Sequence, residues 1–185
     1  MEDRQIIDLY FRRDEDAIVR TREKYGGYCH RIALNILAAH EDAEECVSDT
    51  WLRAWNAIPP TRPDPLRAFL GRITRNLALT RWRESRAQKR GGGETAHAFE
   101  ELSDCLPGGA EPERIAEARA LAESLNAFLA ALPPRERSVF LARYWYFAPL
   151  REIAARTRKS ESAVKSSLFR TRQKLYDHLK KEGLL

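Results

Sequence analysis

Apolar residues recur at every third or fourth position along almost all of the 185 residues, and no stretch alternates polar with apolar between hairpin turns. A chain patterned this way buries its apolar stripes by packing helix on helix, so the expected fold is all-α. The periodicity predicts helices over 3–24 with a break near Asp14, then over 28–39, 41–57 and 66–89. After Arg90 the stretch GGGETAHAFEELSDCLPGGAEPE carries five glycines, two prolines and several acids without a periodic apolar face. It reads as a flexible acidic linker over 91–111. A second helical unit follows, at 112–131, 134–146, 149–157 and 161–181, with Pro133 and Pro134 marking a helix stop and start. The expected organisation is a helical domain at 1–90, the linker, and a smaller helical domain at 112–185.

Charge is sorted into blocks that the net value of +5 conceals. Residues 1–61 hold 8 basic and 12 acidic groups, whereas 62–90 hold 9 basic and 2 acidic. Residues 91–125 swing back to 2 basic against 8 acidic, and 150–185 carry 10 basic against 4 acidic. Two basic surfaces therefore flank an acidic connector, as expected if one polyanion is touched at two places.

Several function classes fall away. The longest apolar run, Ala127 to Leu132, is far short of the roughly 18 residues that a membrane span needs. The acidic start MEDRQIID lacks an apolar signal region, so a cytoplasmic protein without membrane insertion is expected. Cys29, Cys46 and Cys105 form no CxxC pair, and Cys29 and Cys46 read as small core residues. His30, His40, His97 and His178 have neither a nucleophile partner nor ligand spacing, and no phosphate loop or metal-binding HExxH appears. No catalysis, metal or cofactor is expected.

Residues 150–175, LREIAARTRKSESAVKSSLFRTRQKL, read as two helices joined by a short polar turn. On the second, Val164, Leu168, Thr171 and Leu175 form one stripe, and Ser162, Ser166, Phe169, Arg170 and Gln173 lie opposite with Lys165 on the flank. Ser160 and Glu161 stand where a helix start expects a cap and an early acid. Such a helix-turn-helix places its second helix in the major groove, where side chains distinguish base pairs.

Helix 66–89 is expected to bury Leu66, Phe69, Leu70, Ile73 and Leu77. Trp82 then falls opposite Ile73, near Arg75 and Leu79, with Arg72, Asn76 and Arg83 on the adjacent flank. An indole and a leucine on the outer face of an arginine-rich helix suit the stacking of unpaired bases; the alternative is that Trp82 packs on a neighbouring segment. The preceding NAIPPTRPDP is a proline-stiffened loop. Helix 41–57 turns Ala43, Val47, Trp51 and Ala54 inward and Asp42, Glu45, Asp49 and Arg53 outward. Those carboxylates would repel phosphate, so that face suits a protein partner or plain solvation.

YGGYCHRIALNIL at 25–37, DAEECVSDTWLRAW at 42–55, FLGRITRNLALTRWR at 69–83 and LPPRERSVFLARYW at 132–145, followed by the helix-turn-helix, occur in this order. Together they resemble the sigma-70 family of bacterial transcription initiation factors, in its small extracytoplasmic-function (ECF) group. The resemblance implies two helical domains, sigma regions 2 and 4, and no catalytic activity. It implies docking on core RNA polymerase through Asp42, Glu45, Ser48, Asp49, Leu52 and Arg53. It implies recognition of the minus-10 element and its melted non-template strand by Arg72, Arg75, Asn76, Leu79, Thr80, Trp82 and Arg83. Ser162, Lys165, Ser166, Phe169 and Arg170 would read the minus-35 element of promoter DNA as duplex, and an anti-sigma factor would be a further partner. Three positions depart from the family pattern: Thr80 replaces an acid or Asn, Arg158 a turn glycine, and Lys159 an apolar residue. A stand-alone helix-turn-helix regulator is the rival reading, and it leaves the acidic helix and Trp82 unexplained.

Overall fold

A computed structural model describes residues 1–88, 94–103 and 115–185, and among them every regular element is a helix. The chain divides into two compact units, 1–91 and 92–185.

In the first unit, α1 (Asp3–Phe11), α2 (Asp16–Leu37), α3 (His40–Ala57) and α4 (Leu66–Gln88) form a bundle. The turn between α1 and α2 falls near the expected break: Arg13 has φ of 56° and the Asp14 carboxylate accepts from the Asp16 N–H at 3.0 Å. The expected gap at 25–27 is absent, because α2 continues through Gly26 and Gly27. Each glycine costs roughly 1 kcal/mol against alanine in a helix. The buried stripe of Thr21, Tyr25, Cys29, Ile32 and Ile36 spans the pair and outweighs that cost.

The α3/α4 contact is made of small and polar side chains. Ala43, Cys46, Thr50 and Ala54 are fully buried on α3, as are Thr74 and Ala78 on α4. The Thr50 and Thr74 hydroxyls lie 3.1 Å apart, each 2.9 Å from the carbonyl one turn back. This satisfies the polar groups inside the seam. Gly71 serves a close approach, since a Cβ there would lie 3.1 Å from Tyr28 Cζ.

The buried arc of α4 centres on Leu70, Thr74 and Ala78, whereas Ile73, Leu77 and Phe69 are only half-buried. At about 100° per residue this turns the helix by roughly a quarter from the expected orientation. Hydropathy favoured Ile73 and Leu77; the seam selected small residues.

The second unit contains α5 (Glu94–Ser103), α6 (Ile115–Ala131), α7 (Pro134–Tyr144), α8 (Leu150–Thr157) and α9 (Glu161–Lys181). Phe128, Phe140, Phe147, Ile153, Leu168 and Leu175 build its core. The prolines act as expected, Pro133 capping α7 and Pro134 opening it.

Helix α5 is a correction, since 94–103 was expected inside a flexible linker. Thr95, Ala96 and Ala98 are buried, Phe99 lies 5.4 Å from Phe147, and α5 packs on α7. The decisive contact is ionic. Arg143 on α7 is 1% exposed and donates to Glu94 at 2.6 Å and to the two oxygens of Glu101 at 2.9 and 3.3 Å. A guanidinium cannot shed its proton in a protein, so its burial requires these carboxylates. Short apolar residues gave the segment no visible stripe, and glycines on one side masked it. The remainder of the expected linker, with Cys105, lies outside the described residues.

Glu94→Gln together with Glu101→Gln leaves Arg143 buried without a counter-charge, and is expected to destabilise the second unit by about 3 kcal/mol, read by calorimetry of the full chain. Burial raises the Glu101 pKa, but hydrogen bonds from Arg143 and Tyr144 outweigh it and hold the carboxyl below its usual range. A depressed acid stabilises fully above its unfolded value, about 4.3, and loses that contribution as pH falls through the folded value. The Tm of the second unit should therefore hold down to about pH 5 and fall below it, with a shallower acid limb in Glu101→Gln.

Candidate nucleic-acid interface

Helix α9 starts on a side-chain cap, the Ser160 hydroxyl accepting from the Ala163 N–H at 3.1 Å. Val164, Leu168, Thr171, Leu175 and Leu179 face inward. Ser162, Lys165, Ser166, Phe169 and Arg170 are all exposed, Phe169 at 56%. The preceding turn rests on Arg158, at φ 54° and ψ 42°, which caps α8 in the left-handed region. A non-glycine residue there costs roughly 1 kcal/mol.

On α4, Arg72, Asn76, Thr80 and Arg83 form one exposed stripe. The rotated buried arc leaves Arg75 and Trp82 at its edge, both half-buried. Burial and the neighbouring Arg83 charge push the Arg75 pKa down. The Thr80 hydroxyl donates to the Asn76 carbonyl at 3.0 Å. Leu79 is a correction: at 5% exposure it belongs to the interior and offers no stacking surface.

On α3, Asp42, Glu45, Ser48, Leu52 and Arg53 are exposed, and Asp49 is half-buried. Two features of this face escaped the sequence reading. Arg81 on α4 bridges Glu45 at 3.0 Å and Asp49 at 2.6 Å, so part of the acidic row is already paired. The hydrogen bond that Arg81 donates to the Glu45 carboxylate raises the pKa of the guanidinium. The second is apolar: Leu52, 59% exposed, shares a shallow hollow with Ile18, Val19, Ser48 and Trp55. Val19 stands two positions off the α2 stripe among charged neighbours, which was its only signal.

Sigma-70 region 2 matches residues 22–88 and Sigma-70 region 4 matches residues 122–175. ECF RNA polymerase sigma factor SigE of Mycolicibacterium smegmatis is 29% identical over 169 residues, which are 91% of this chain. The chain belongs to the sigma-70 family. It spans 62% of the length of that curated relative. A solved structure titled "Structure of CnrH in complex with the cytosolic domain of CnrY" is similar over 97% of each chain, at 22% identity and a TM-score of 0.44.

The first bundle thus corresponds to region 2, with α3 and α4 presenting its outward faces, and the second to region 4, with α9 as the last helix. Sigma factors are not enzymes, and the described residues hold no group of three potential metal ligands. No described helix is long and apolar enough to cross a membrane.

Because Glu45 is well exposed and Asp49 is partly so, Arg81→Ala is expected to lower region 2 stability by no more than about 1 kcal/mol. Denaturant unfolding checks this; a larger loss would mean that the bridge holds α3 on α4.

Proposed function

We propose that this chain directs core RNA polymerase to specific promoters and assists strand opening. Carrying the reading is the opposition of charge within region 2: an acidic face on α3 beside a shallow hollow between α2 and α3, and a basic stripe on α4. Carboxylates beside Leu52 repel phosphate and suit a protein partner of complementary charge. The core enzyme would therefore dock on Asp42, Glu45, Ser48, Asp49, Leu52 and Arg53, joined by Val19.

Arg72, Asn76, Thr80 and Arg83 would follow the minus-10 strand, with Arg75 adding charge and Trp82 a partly exposed ring for an unstacked base at the edge of the stripe. In region 4, Ser162, Lys165, Ser166, Phe169 and Arg170 would read the minus-35 element as duplex. This chain makes and breaks no bond; duplex contacts set register, and captured bases offset part of the unpairing cost. An anti-sigma factor occluding the polymerase-binding surface on α3 would silence the protein, the regulation implied by the family.

Transcription by sigma-free core polymerase on pooled genomic fragments, with RNA 5′ ends sequenced, tests this directly. New starts sharing two upstream boxes are expected only when the protein is added; duplex binding without new starts would favour a stand-alone regulator. Glu45→Lys with Asp49→Lys should abolish measurable core association while region 4 keeps its melting transition. Promoter affinity should fall by at least tenfold between about 50 and 200 mM salt, because phosphate neutralisation releases counterions.

A further inference from the structure

A chain of contacts leads from the buried Arg143 to the outward face of α9. Glu101 on α5 accepts from Arg143 and, at 2.9 Å, from the Tyr144 hydroxyl. Arg172 on α9 donates to that same hydroxyl at 2.6 Å and lies 3.5 Å from the Glu101 carboxylate. Its guanidinium sits 5.9 Å from the centre of the Phe169 ring, within cation–π range. Glu101, Arg172 and Phe169 line one shallow groove together with Lys165 and Arg170.

Phe169 is the one apolar side chain among the five proposed minus-35 readers. An exposed ring on a helix has two accessible χ1 positions, and only a fixed one can be aimed at a base edge. Arg172 lies one turn further on and is 16% exposed. Held from behind by a phenol oxygen and a carboxylate, it forms a wall against the ring. The chemistry that an aromatic ring finds in the major groove is the thymine methyl.

We infer that Phe169 reads a thymine methyl in the upstream box, and that Glu101, acting through Tyr144 and Arg172, is a positioning residue for that contact. The inference rests on the minus-35 reading above and deepens it. It makes a segment outside the helix-turn-helix part of the specificity apparatus. Glu101 itself is not a DNA ligand, because its oxygens are occupied by Arg143, Tyr144 and Arg172.

The test uses core polymerase loaded with the full chain and the strongest promoter from the transcription experiment. Each thymine of the upstream box is replaced singly by deoxyuridine, which removes only the methyl. The unsubstituted protein is expected to lose affinity roughly fourfold at one position, the scale of one buried methyl. Phe169→Ala should abolish that discrimination. Tyr144→Phe, which keeps the Arg143–Glu101 pair, should cut it to less than about half of the wild-type ratio, as should Glu101→Gln, with the salt slope unchanged because no phosphate contact is lost.

Wild-type discrimination in both variants overturns the positioning role, and so does a loss of affinity that is equal at every position. Absence of any uracil penalty in the unsubstituted protein overturns the methyl contact. Absence of any promoter refutes the initiation-factor reading itself, a result distinct from all of these, and the inference falls with it.

Discussion

A positive charge that has no route to neutrality, buried at 1% exposure, governs the second unit. Arg143 must be answered by carboxylates wherever the chain can supply them, and it finds both on α5, more than forty residues upstream. That requirement fixes where the unit begins. It also places Tyr144, the next residue, against the same carboxylate, and through Tyr144 the back of the helix that faces DNA. Core packing around Phe140, Ile153 and Leu168 supplies bulk stability; the ion pairs decide which segments belong together.

Region 2 works by a different rule. Its α3/α4 seam is made from alanine, cysteine and threonine, with hydroxyls that satisfy one another and the helix backbone. Large side chains such as Trp51, Leu66 and Leu70 join the core of the bundle, and others stay at the seam's margins. Leu52 remains outside, and Trp82 and Arg75 are drawn half-way in. Which faces of α3 and α4 stay exposed follows from where this small-residue seam lies on each helix.

Much of this was legible in the amino acids. Apolar spacing located the helices, Pro133 and Pro134 punctuated the second unit, and the Val164–Leu168–Thr171–Leu175 stripe faces inward as spacing dictates. Failures occurred where hydrophobicity was a poor proxy for burial. On α4, Ile73 and Leu77 are more hydrophobic than Thr74 and Ala78, so spacing alone turns the helix by a quarter and puts Leu79 outside. On α2, a glycine pair looked like a break because the stripe on either side was read separately. The helix at 94–103 was invisible because its buried face is threonine and alanine, and its anchor is a distant arginine. Arg81 was missed for a related reason: an ion pair between helices leaves no periodic trace in either one.

The close seam between α3 and α4 also has a mechanical meaning. Packed interiors are nearly incompressible and transmit strain, and here two helices are joined by interlocked small side chains, a hydroxyl pair and the Arg81 bridge at the rim. A body gripped at α3 is thereby gripped at α4. With only short side chains between them, α3 and α4 have little room to slide past one another, so a load on the outer row of α3 is carried into α4.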